Sequence, residues 1–191
     1  QTSGRGVAYW SDRHDERLFF ITPGYLMIAL NAKTGKLYPD FGRNGIVDLK
    51  EGLDRRIDLI KDAIGSSSPH IVVGDVVIMG AAFPVGSAPP TKEMPPGHIR
   101  GYDVRTGDRL WIFHTIPQPG EYGHDTWEGD SWSYTGNVSA WTSLTADREL
   151  GYVYLPLEAP TGDYYGGHHL GDNLFSQSLV CLDAKTGERI W

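Results

Sequence analysis

One short string occurs three times in this chain, and its repetition constrains the fold more than any other feature: ALNAKTGKLY at 29–38, GYDVRTGDRLW at 101–111 and CLDAKTGERIW at 181–191. Each copy leaves an apolar strand through Asn31, Asp103 or Asp183, passes Thr-Gly, and enters a second apolar run that ends on Tyr38, Trp111 or Trp191. An Asx side chain accepts hydrogen bonds from backbone N–H groups two or three residues on, and glycine takes a positive φ without penalty. Each copy therefore predicts a hairpin turn, with the following aromatic packed between neighbouring sheets.

The three Asx residues lie 72 and 80 residues apart, from Asn31 to Asp103 to Asp183, well beyond the roughly 40–45 residues of an ordinary propeller blade. Loops account for the excess. Strand-like strings group into three sets of four: RGVAYW, RLFFIT, YLMIALN and KLY; HIVV, DVVIMGAA, HIRGYDV and RLWIFHT; VSAWTSL, GYVYLPLEA, SLVCLDA and a strand opening at Glu188. Gly/Pro-rich insertions fill 84–97, 117–136 and 159–173, and insertions of that size usually carry function. The expected fold class is all-β, about three blades of a propeller. Three blades do not close a ring of four to eight, so 1–191 reads as a partial domain, incomplete at both ends.

Composition agrees and excludes alternatives. With 24 Gly, 12 Pro, 10 Tyr and 6 Trp, the chain favours many short strands joined by tight turns. The net charge of -7 and the absence of any Lys/Arg run argue against nucleic acid. No stretch approaches 18 apolar residues, so no membrane span is expected here. Cys181, the single cysteine, lies in a strand pattern and is read as a small buried hydrophobe. The Gly-x-Gly-x-x-Gly, Walker and His-Glu-x-x-His motifs do not occur. Neighbouring His168 and His169 are read as a solvated loop pair, since adjacent side chains point apart.

The repeat A/G-x-D-x-x-T-G-x-x-x-W is similar to the tryptophan-docking repeat of pyrroloquinoline quinone (PQQ)-containing quinoproteins. GRGVAYW at 4–10, LNAKTGKLYPDFGRNGIVDL at 30–49, GDVVIMGAA with HIRGYDVRTGDRLWIF at 74–82 and 98–113, and TWEGDSW at 126–132 follow that family in order. The resemblance covers nearly the whole chain and is nearest to the membrane glucose dehydrogenase and sugar or polyol branch. It implies an eight-bladed propeller with the quinone on its axis.

PQQ is a planar, tricarboxylated quinone, so its site needs a flat aromatic partner, cations and hydroxyls for the carboxylates, and a divalent ion at the reactive carbonyl. By resemblance Arg5 points at the quinone, the alternative being a structural ion pair. Ser67 falls where the family places a hydroxyl near a PQQ carboxylate, although a turn before a strand would look the same. Trp141, six residues before Asp147, matches the tryptophan on which PQQ stacks, against a packing role in the core. Trp127 and Trp132 are read as pinning a loop to the rim. Methanol-oxidising members place a Ca²⁺-binding glutamate after the strand equivalent to DVVIMGAA and an asparagine after that equivalent to GYVYLPLE. Here AAFPVGS and Ala159 stand instead. Glu158, one residue away, is the expected substitute ligand, the alternative being a surface carboxylate.

These features imply a dehydrogenase that passes hydride from a sugar, polyol or other alcohol to PQQ held with Ca²⁺ or another divalent cation. The family's aspartate base is expected just beyond Trp191. Electrons would leave to a cytochrome or ubiquinone, and the location would be periplasmic, with any inner-membrane tether outside this segment. The rival reading is a non-enzymatic propeller scaffold; Arg5 and Trp141 at family spacings, with long insertions to cover a pocket, tell against it.

Overall fold

All three repeat strings form the turn that their side chains dictate. Asn31 Oδ1 accepts from the N–H groups of Lys33 and Thr34 at 3.1 and 2.9 Å, Asp103 Oδ1 from Arg105 and Thr106 at 2.7 and 2.8 Å, and Asp183 Oδ1 from Lys185 and Thr186 at 2.9 and 2.8 Å. The glycine that closes each turn has φ of 67°, 78° or 75°, where a Cβ would be strained. A fourth turn of this kind, unexpected from the repeat, is built on Asp147 and Gly151.

The computed structural model describes residues 6–58, 64–66, 68–81, 91–162 and 164–191. These form three antiparallel sheets in chain order. The first contains β1 (Ala8–Ser11), β2 (Glu16–Ile21), β3 (Leu26–Asn31) and β4 (Ile46–Asp48). The second contains β5 (Ile71–Val73), β6 (Val76–Met79), β7 (Ile99–Asp103) and β8 (Arg109–Phe113). The third contains β9 (Thr145–Asp147), β10 (Tyr152–Pro156) and β11 (Leu179–Asp183). First strands are neighbours, β1 beside β5 and β5 beside β9, as in successive blades around an axis.

Two strand assignments shift. KLY gives only a bridge, Leu30 to Leu37; the fourth strand of the first sheet is β4, which pairs with Leu26–Ile28 after a detour through Phe41 and Gly42. VSAWTSL is irregular backbone, and the first strand of the third sheet starts at Thr145. The segment opening at Glu188 does run back along its neighbour, with the bridge Leu182 to Arg189 and bonds from Asp183 N–H to Glu188 C=O and from Ile190 N–H to Cys181 C=O, both at 2.8 Å. The aromatics diverge as well. Trp111 packs between sheets, whereas Tyr38 stays on its own sheet under Arg17, 4.0 Å from ring to guanidinium. Phe41 takes the position beside Gly107.

Packing explains the strand patterns. In β2, burial alternates along the strand, because one face meets the core. In β6 all four residues are buried. Val77 and Met79 join the core shared with the first sheet, and Val76 and Ile78 join the core shared with the third. A sheet sandwiched between two others needs an unbroken apolar run. Cys181 is fully buried in β11, and burial pushes its thiol pKa up.

Candidate functional site

Antiparallel pairing makes the first strand begin, the second end and the third begin at one common end of every sheet. The repeat turns close at the other end. The long connections 49–58, 80–98, 114–144 and 157–178 all depart from the first end, which is where a ligand pocket would be built.

Arg5, Ser67 and Trp141 each lead into the first strand of a sheet: β1, β5 and β9. Arg5 and Ser67 lie outside the described residues. The stretches around them are in contact. A Cβ on Gly6 would lie 3.5 Å from Pro69, and Ser68 donates its hydroxyl to the Ala140 carbonyl at 2.7 Å. Ser66 and Ser68 are both buried.

Trp141 does not sit in the core. It is 52% exposed, while Val138, Ser139 and Ala140 before it are fully buried. Together with Glu158 it lines an open cavity of about 430 Å³, whose other walls include Pro156, Leu157, Gln177 and Leu179. Two residues 17 positions apart in the chain are thus brought to one pocket. The link is backbone: Glu158 N–H donates to Ser139 C=O at 3.0 Å, and Gln177 N–H to Glu158 C=O at 3.3 Å. One carboxylate oxygen of Glu158 is closed off from solvent.

Ser139, which the repeat did not single out, ties this wall to the second sheet. Its hydroxyl accepts from Ala81 N–H at 2.8 Å and donates to the Ala81 carbonyl. Arg55 is a further such residue. Its guanidinium donates to the carbonyls of Met94, Trp132 and Thr135, and burial lowers its pKa to about 10. No sequence pattern marks it. Nearby, burial holds the His98 imidazole well below its usual pKa, and its Nδ1 accepts from Thr115 N–H at 3.2 Å. Its ring meets His114 edge-on at 4.7 Å.

Trp127 pins the insertion as expected: it is buried, and its Nε1–H donates to the Leu174 carbonyl at 2.7 Å. Trp132 packs on the same cluster, half-buried. His168 and His169 part ways, one meeting Tyr165 edge-on at 5.0 Å and the other bonding to Asn173 at 2.6 Å.

This wall fits a flat aromatic group, which would lie on the open indole with apolar side chains around it. It does not by itself fit a complete calcium shell, which takes six to eight oxygens. Among the described residues no group of three or more His, Cys, Asp or Glu is placed to hold a metal, and Glu158 offers one carboxylate. None of their helices is long and apolar enough to cross a membrane.

A family model described as "PQQ: Glucose/ethanol/alcohol dehydrogenase, beta-propeller domain" matches residues 1–191. The chain is 34% identical over 167 residues to quinoprotein glucose dehydrogenase A of Acinetobacter calcoaceticus, a match covering 86% of this chain and 20% of that protein. To the glycerol dehydrogenase large subunit of Gluconobacter oxydans (strain 621H) it is 32% identical over 166 residues, covering 86% and 21%. The solved quinohemoprotein alcohol dehydrogenase ADHIIG of Pseudomonas putida HK5 superposes with a TM-score of 0.73 at 26% identity, covering 99% of this chain and 26% of that one. The chain spans about a fifth of the length of these curated relatives.

Proposed function

The chain belongs to the PQQ-dependent glucose, ethanol and alcohol dehydrogenase β-propeller family, and on that premise we propose that it forms part of the cofactor-binding propeller of a quinoprotein that oxidises a sugar, polyol or other alcohol. One observation carries the reading: Trp141 and Glu158, assigned separately to ring stacking and to metal ligation, line the same cavity. In this proposal the Trp141 indole supports the quinone ring, and Glu158 gives one oxygen to a divalent cation whose remaining ligands lie elsewhere. By the family resemblance, Arg5 and Ser67 are assigned to the PQQ carboxylates. PQQ, when bound, supplies a carbonyl that accepts hydride. The general base comes from residues outside 1–191. Relatives named for glucose and glycerol support a sugar or polyol substrate. The same reading places the protein in the periplasm, passing electrons to a cytochrome or ubiquinone.

The test is PQQ titration of the complete gene product with and without Ca²⁺, followed by substrate-dependent reduction of an artificial electron acceptor. Saturable binding and turnover with sugars, polyols or alcohols are expected. Absence of PQQ binding would leave the scaffold reading in its place.

A further inference from the structure

At the pocket end, three irregular segments run side by side: 94–97, 136–139 and 158–161. Asn137 is the residue that joins them. Its backbone N–H donates to Pro95 C=O at 3.0 Å, its carbonyl accepts from Gly97 N–H at 2.6 Å, and its side-chain amide donates to Ala159 C=O at 2.9 Å. Bridges to Pro96 on one side and Pro160 on the other complete the seam. The packing is tight. A Cβ on Gly97 would meet Ser139 at 2.3 Å, and one on Gly136 would meet Pro95 O at 2.4 Å.

The backbone here is unusual. Asn137 has φ 63° and Val138 φ 51°, and a β-branched residue in the left-handed region is an outlier that persists only where its surroundings hold it. This kink turns the chain from the insertion into the buried lead-in that presents Trp141. The carbonyl gripped by the Asn137 amide belongs to Ala159, next to Glu158. The Asn137 amide is thus the side-chain tie across the cavity, added to backbone bonds from Val138 N–H to Ala159 C=O at 3.3 Å, Glu158 N–H to Ser139 C=O at 3.0 Å and Thr161 N–H to Gly136 C=O at 3.1 Å.

We infer that Asn137 is a positioning residue, setting the separation between the Trp141 indole and the Glu158 carboxylate without itself touching the cofactor. The inference rests on the proposed roles of those two residues. It is tested in the complete protein with Asn137→Gly, which keeps the backbone conformation accessible and deletes the amide, and with Asn137→Asp. The carboxylate of Asn137→Asp cannot donate to Ala159 C=O, whereas its protonated form can.

Asn137→Gly is expected to weaken PQQ binding about tenfold while the apoprotein melts within a few degrees of wild type. Asn137→Asp should bind PQQ weakly at pH 8 and approach wild-type affinity, measured at the same pH, as the solution is acidified. Packing alone would not produce that recovery. Wild-type PQQ affinity in Asn137→Gly, or an Asn137→Asp deficit that does not change with pH, would overturn the inference. Trp141→Ala is run in parallel. If it binds PQQ as wild type does, the platform reading is what fails; if it loses affinity and Asn137→Gly does not, the platform stands and the positioning role falls.

Discussion

Trp111 of the second sheet lays its indole against Gly187 in the turn of the third and donates Nε1–H to the Ala184 carbonyl at 3.1 Å. A Cβ on Gly187 would come within 2.6 Å of the ring, and one on Gly101, beneath it in the same sheet, within 2.2 Å. The indole is thus held between two glycines, one from each sheet. The repeat's Thr-Gly dipeptide has two jobs here, since the glycine closes its own turn and leaves room for the tryptophan of the preceding sheet.

Trp111→Ala is expected to destabilise the protein by roughly 3–5 kcal/mol, the scale for a buried aromatic removed from a core. Trp111→Phe keeps most of the apolar contact but strands the Ala184 carbonyl, so about 1–3 kcal/mol is expected from the lost hydrogen bond. Urea unfolding of both variants checks the order. No loss in Trp111→Phe would mean that the hydrogen bond contributes nothing, and equal losses that the ring's packing adds nothing beyond it.

Trp141→Ala should behave in the opposite way. Its side chain is half exposed, so apoprotein stability should fall by less than the roughly 3–5 kcal/mol of a core tryptophan. PQQ affinity should drop by about 1–3 kcal/mol, as when a flat ring loses its stacking partner. Apoprotein melting and PQQ titration decide the matter: a large stability loss with unchanged affinity would return Trp141 to a packing role.

For Glu158, the substitution Glu158→Gln removes the charge and preserves the shape. The Ca²⁺ concentration needed to reconstitute PQQ-dependent activity in the complete protein should rise, with the far-ultraviolet circular dichroism unchanged. A calcium titration identical to wild type would remove Glu158 from the metal site.

Acid should weaken the fold through buried histidines. Burial lowers the pKa of His98 and of His70, whose Nε2–H donates to the Phe19 carbonyl at 2.7 Å. The unfolded chain, titrating near 6.5, therefore binds more protons than the folded one below that value. The stability these residues contribute is fully present above pH 6.5 and is lost as pH falls toward their lowered values. Melting temperature should accordingly decline below pH 6.5, and His98→Asn should flatten that decline. An unchanged slope in the variant would show that His98 does not contribute to it.

The Asx-Thr-Gly turns were legible in the sequence because a turn is a local object: Asp103, Thr106 and Gly107 make their defining hydrogen bonds within five residues of chain. The same locality gave the number of sheets and all four strands of the second one. The family motifs gave the types of group a quinone site would use. What the sequence could not determine depends on partners distant along the chain. KLY has the pattern of a strand, yet Ile46–Asp48 is the segment that pairs with Leu26–Ile28. Which aromatic docks is settled by the neighbouring sheet: Trp111 finds Gly187, while Tyr38 is held by Arg17, Asn31 and Asp15 on its own sheet. The pocket is the clearest case. Nothing in the spacing of Trp141 and Glu158 says that they share a cavity, because the bonds that bring them together run from Ser139 to Glu158 and from Asn137 to Ala159, across the β9–β10 hairpin. Local hydrogen bonding wrote the repeats into the sequence, and the meeting of loops from different sheets at one end of the fold, which only the folded backbone brings about, made the site.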